Sequence, residues 1–123
     1  MRYTLLVLSP PDHGYSNGHA LDFARNLLAS GHELACVFFF DAGVLTGLAT
    51  AEAPQDERNL RAEWSALAQE QNARLVLCVA SAARFGLGES PAPDTLQSGF
   101  AVAGLGDLAE ARGTSNRLLT FGD

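Results

Sequence analysis

The sequence predicts an α/β fold: a single small domain, residues 1–123, built as a mainly parallel sheet flanked by helices on both faces. Three observations lead there. Short apolar, β-leaning runs alternate with longer segments of helical period. The connections between them are short, and no internal repeat or linker divides the chain. One run, residues 34–40, is apolar without alternation, as a strand covered on both faces requires. A chain of 123 residues with 47% hydrophobic content can bury one core and not two.

The elements follow in order. Residues 3–8 read as the first strand, broken by Ser9-Pro10-Pro11-Asp12-His13-Gly14. Ala20, Phe23, Ala24, Leu27 and Leu28 then recur at helical spacing, with Ser16 or Asn17 as the expected cap and Gly31 as the stop. Residues 34–40 form the second, central strand, and Asp41-Ala42-Gly43 turns the chain. Residues 49–57 read as a small-residue, acidic loop containing Pro54. From 58 to about 71, Leu60, Trp64, Leu67 and Ala68 make a second amphipathic face. Residues 75–79 are strand three, 81–85 a short helix ending near Gly86, and 86–93 a surface loop. A short run at 100–102, a helix around Leu105, Leu108 and Ala109, and a last strand at 117–121 complete the chain.

The composition excludes several chemistries. All eight cationic residues are arginine and none is lysine, which removes the Walker-A loop, Schiff-base enzymes and receiver domains that pair an Asp with a Lys. A net charge of −6 argues against gripping nucleic acid through its phosphates, so the expected partners are proteins. The opening apolar run is too short for a signal peptide, and no stretch is long enough to span a membrane, so a cytoplasmic location is expected. Two cysteines 42 positions apart, without zinc spacing, point to neither a structural metal nor a stabilising disulfide.

Strand ends in parallel sheets collect sites, and Asp12, Asp41 and Cys78 all fall at one. Cys78 leads because a helix begins just after it. Backbone N–H groups and the positive end of a helix dipole favour a thiolate there. Position alone also admits a buried core cysteine. Cys36, mid-strand in the most apolar stretch, reads as core filler. His13, His19 and His32 are scattered, and Glu52, Asp56, Glu57 and Glu70 read as solvated charge. Gly104-Leu105-Gly106-Asp107-Leu108-Ala109 fits the G-x-G-x-x-A dinucleotide fingerprint, but too few residues follow for the usual βαβ unit. The plainer expectation is that the two glycines let the helix approach the sheet closely.

Gly31-His32-Glu33-Leu34 running into Val37-Phe38-Phe39-Phe40 and Gly43-Val44 resembles the TusD-type, DsrE-like sulfurtransferase subunits. So do Cys78-Val79-Ala80 and the segments Leu96-Gln97-x-Gly99-Phe100 and Gly104-Leu105-Gly106-x-Leu108-Ala109-Glu110-Ala111. The likeness runs nearly end to end. It implies a flavodoxin-like sandwich, a catalytic Cys78 that carries sulfur as a persulfide, and no metal or organic cofactor. It further implies a heterohexamer with TusB- and TusC-like subunits, a TusA-like donor, a TusE-like acceptor, and a route to 2-thiouridine in tRNA. The segment from Phe85 to Thr95 is shorter than the family pattern, and it flanks the cysteine. Three other readings stand beside this one: a DsrE-type subunit of sulfur oxidation, a non-catalytic assembly subunit, and a small nucleotide-binding module.

Overall fold

A computed structural model of the chain describes residues 1–51, 53, 55–88 and 91–123. Five strands, β1 (Arg2–Val7), β2 (Glu33–Phe39), β3 (Leu75–Cys78), β4 (Phe100–Ala103) and β5 (Arg117–Phe121), form one sheet in the order β4-β3-β2-β1-β5. Every pairing is parallel. Four α-helices connect them: α1 (Ser16–Ala29), α2 (Leu60–Gln71), α3 (Val79–Arg84) and α4 (Leu105–Gly113). Short 3₁₀-helices at Asp41–Gly47 and Pro93–Thr95 follow β2 and precede β4.

The unbroken apolar run becomes the middle strand, as its composition requires. Val37, Phe38 and Phe39 are fully buried because layers cover both sides of the sheet. On one side Tyr3 meets Phe23 of α1 edge-on at 5.8 Å, and Phe39 meets Trp64 of α2 at 5.2 Å. Successive strand residues point to opposite faces, so Thr4 points the other way. Its hydroxyl lies 2.7 Å from that of Ser115, just past α4. Helices α1 and α2 therefore cover one face and α4 the other. The strand order has the same logic. The chain steps from β1 to β4 in one direction, and α4 carries it back across the sheet to lay β5 beside β1.

Several local expectations are corrected. The N-cap of α1 is Tyr15, which makes no side-chain cap bond. Ser16 is already helical and donates to Asp123 at 2.6 Å, while Asn17 is buried. Helix α2 begins at Leu60, two residues later than expected, because Asn59 accepts the Ala62 N–H at 3.1 Å. The turn expected at Asp41-Ala42-Gly43 opens the 3₁₀-helix instead, and a Cβ at Gly43 would stand 2.3 Å from the Val7 carbonyl oxygen. Glu52 and Pro54 of the acidic loop, and Glu89 and Ser90 of the loop at 86–93, lie outside the described residues.

The topology tells against the dinucleotide fingerprint, and the plainer expectation for its two glycines is corrected. β4 and β5 occupy opposite edges, so α4 joins no adjacent pair of strands. A Cβ at Gly104 or Gly106 would meet nothing within 4 Å, so neither glycine is needed for close approach to the sheet. Among the described residues no helix is long and apolar enough to cross a membrane.

Candidate active site at the strand ends

Because the strands run parallel, β1, β2 and β3 deliver their following segments to one edge of the sheet. Asp12, Asp41 and Cys78 all lie there, but they divide into two groups. Asp12 faces α2, where Arg61 grips both carboxylate oxygens at 2.8 and 3.0 Å. The Arg61 side chain is only 4% exposed, and its Nε donates to the Leu45 carbonyl at 2.9 Å. Asp41 faces α3 instead. Its backbone N–H donates to the Ser81 hydroxyl at 3.0 Å, and its carboxylate pairs with Arg84.

A buried amide holds these segments together from below. The Asn17 side-chain NH₂ donates to the Ser9 carbonyl at 3.1 Å and to the Thr46 hydroxyl at 2.9 Å. Its carbonyl accepts the Trp64 indole N–H at 2.9 Å. Such a network is stabilising when every member is satisfied, as here. The sequence offers Asn17 only as a helix cap and leaves Arg61 unmarked, although a signal for both existed. Asn17 lies three, four and seven residues before Ala20, Leu21 and Ala24, all buried. Arg61 stands in the same relation to Trp64, Ser65 and Ala68. A polar residue in phase with an apolar stripe has to be buried with partners.

Cys78 ends β3 and is the N-cap residue of α3, with extended backbone angles and no side-chain cap bond. Its placement immediately before the first-turn N–H groups matches the sequence expectation, although α3 starts at Val79 rather than at residue 81. Both cysteines are free thiols. Cys78 is 1% exposed and belongs to the hydrophobic core. Cys36 is fully buried, and burial pushes its thiol up to about 11, with Arg74 and Asp107 acting as smaller, opposed influences.

The histidines do not converge. His32 Nδ1 lies 3.0 Å from the N-terminal amine, His19 stacks on Tyr15, and His13 is on an exposed loop. Among the described residues no three His, Cys, Asp or Glu side chains are grouped to hold a metal ion. A surface cavity of about 590 Å³, lined by Asp12, Tyr15, His19, Asp22 and Arg58, opens at the start of α1 and includes neither cysteine.

The model of the DsrE/DsrF-like family matches residues 1–121. The chain belongs to the DsrE/DsrF-like family. Among curated relatives it is 39% identical to Sulfurtransferase TusD of Klebsiella pneumoniae (strain 342), over 98% of this chain and all of that protein. It is 37% identical to Sulfurtransferase TusD of Enterobacter sp. (strain 638) with the same coverage. Relatives of this likeness and coverage are sulfurtransferases, and this family member is one. Among solved structures, the ychN protein from E. coli superposes with a TM-score of 0.83 over 98% of this chain and 99% of that one. At 23% identity that likeness establishes the fold alone.

Proposed function

We propose that the chain is a sulfur-relay subunit that accepts sulfane sulfur as a Cys78 persulfide and passes it to the thiol of an acceptor protein. The observation that carries this reading is full-length similarity to proteins named Sulfurtransferase TusD, in a chain whose Cys78 stands between a strand end and a helix start. The Cys78 thiolate attacks the outer sulfur of a donor persulfide, R–S–SH. The inner S–S bond of the donor breaks, R–S⁻ leaves, and Cys78–S–SH forms. An acceptor thiolate then attacks that outer sulfur and releases the Cys78 thiolate. Each step exchanges one sulfur–sulfur bond for another, so there is no net oxidation and no cofactor is consumed.

The resemblance also supplies the setting: a cytoplasmic heterohexamer with TusB- and TusC-like subunits, a TusA-like donor and a TusE-like acceptor. The pathway is 2-thiouridine formation in tRNA, and a DsrE-type role in sulfur oxidation is the alternative. With a net charge of −6, the chain suits handing sulfur to a protein and leaving tRNA to a later enzyme. Incubation with a persulfidated donor followed by mass analysis tests the chemistry. The Cys78 peptide gains a labile ~32 Da, one sulfur atom, and Cys78→Ser abolishes the gain. Equal gain in Cys78→Ser overturns the mechanism.

One observation favours a second reading, a non-catalytic assembly subunit. Cys78 is almost as buried as Cys36, as a packing residue would be. Persulfide exchange requires its sulfur to reach a donor, so the carrier reading includes a movement that uncovers it.

A further inference from the structure

Helix α3 has only six residues, too few to be stable in water by themselves, so its position depends on its neighbours. Asp41 supplies two of the ties. Its N–H donates to Ser81, which is 3% exposed, and its carboxylate pairs with Arg84. Asp41 itself holds φ +54, a left-handed conformation uncommon outside glycine that Asp adopts more readily than most residues. Arg84 in turn lies 5.3 Å above the ring of Phe85. Beyond α3 the chain passes through Gly86 and Gly88, both at positive φ with open space around them. The helix is thus pinned on the β2 side and adjacent to conformationally permissive residues on the other.

We propose that Asp41, Ser81 and Arg84 form a latch that holds α3, and with it Cys78, closed, and that sulfur transfer requires the latch to open. The proposal rests on reading Cys78 as the sulfur carrier and adds how access to it is controlled. The three are positioning residues: they act through α3 and touch no reacting sulfur. One hydrogen bond and one solvent-exposed ion pair are individually weak ties, so a docking partner can shift the balance toward the open form. Between encounters the closed form protects a persulfide from oxidants and stray thiols.

Native-state alkylation with iodoacetamide tests the latch without any sulfur transfer. Arg58, Arg61 and Arg74 separate the two cysteines, so cleavage after arginine places Cys36 and Cys78 on different peptides. Ser81→Ala combined with Arg84→Gln raises the alkylation rate of Cys78 about tenfold and leaves Cys36 unchanged. Asp41→Gly, which suits the left-handed backbone and keeps the N–H bond to Ser81, gives a rise of about threefold. Arg84→Lys keeps the charge and stays near wild type. A Cys78 rate within about twofold of wild type in the double variant overturns the latch, as does a parallel rise at Cys36, which reports general loosening. Failure of Cys78 to take up persulfide overturns the carrier reading instead, and leaves the alkylation comparison intact.

Discussion

Cys36 and Cys78 are both free and almost equally buried, at 0% and 1% exposure, yet they occupy different kinds of backbone. Cys36 lies inside β2, opposite Thr4 of β1 and just after the irregularity at Ala35, and the three residues that follow it are paired with β1 on one side and β3 on the other. Cys78 is the last residue of β3 and the N-cap of a six-residue helix tied down by Asp41. Uncovering Cys36 means opening the central strand. On the latch proposal, uncovering Cys78 takes the movement of one short helix. Burial alone therefore does not rank two thiols for chemistry; the free energy of the smallest opening that exposes each one does.

The sharpest way to break this contrast is exchange of the cysteines themselves. Cys78→Ser loses sulfur loading altogether, while Cys36→Ala retains it within about twofold, both read by mass of the loaded protein. Loss of loading in Cys36→Ala with the fold intact would undo the distinction.

The next largest effect concerns the scaffold beneath the strand ends. Asn17→Leu strands the Trp64 indole N–H and the Thr46 hydroxyl in the core, and costs about 3 kcal/mol in urea denaturation. Cys36→Ala removes only a sulfur atom from the packed sheet and costs about 1 kcal/mol in the same measurement. A larger cost for Cys36→Ala than for Asn17→Leu would mean that the middle of β2, and not the polar network, dominates the stability of this layer.

The smallest effect is a pH dependence remote from both thiols. Hydrogen bonds, chiefly from Arg58 and then from Arg25, hold the Glu63 carboxyl down at about 2, against an ordinary 4.5. A depressed carboxyl stabilises the fold fully above about pH 4.5 and loses that contribution as pH falls toward 2. Since Arg58 and Arg25 are 47% and 38% exposed, solvent screening reduces the contribution to about 1 kcal/mol. Glu63→Gln flattens the fall in stability between pH 4.5 and 2. It leaves Cys78 alkylation at neutral pH unchanged, because Glu63 ties α1 to α2 and makes no contact with the α3 latch.

Much of this architecture was legible in the residues. Apolar runs and helical period located four of the five strands and the four α-helices, left β4 as no more than a short run at 100–102, and marked the uninterrupted run at 34–40 as the strand that proved central. The strand-end position of Cys78 was legible too, because a change from strand to helix period is a local signal. Boundaries slipped where a side chain chose them, as Asn59 did at α2. The expectation that Gly104 and Gly106 let a helix approach the sheet closely failed because the spacing of two glycines does not say what a Cβ at either would meet.

By itself, then, the sequence determined the kind of fold, the order of its elements and the thiol at the end of β3, since period, turn chemistry and residue type act over a few neighbouring positions. Only the tertiary structure decided that Asp12 is gripped by Arg61 while Asp41 is tied to Ser81 and Arg84. It alone shows that Asn17 links the Ser9 loop, the 3₁₀-helix and α2. These pairs lie 29 to 49 positions apart, apart from Asn17 with Ser9. Their meeting depends on how parallel strands line up their ends, which no local pattern encodes.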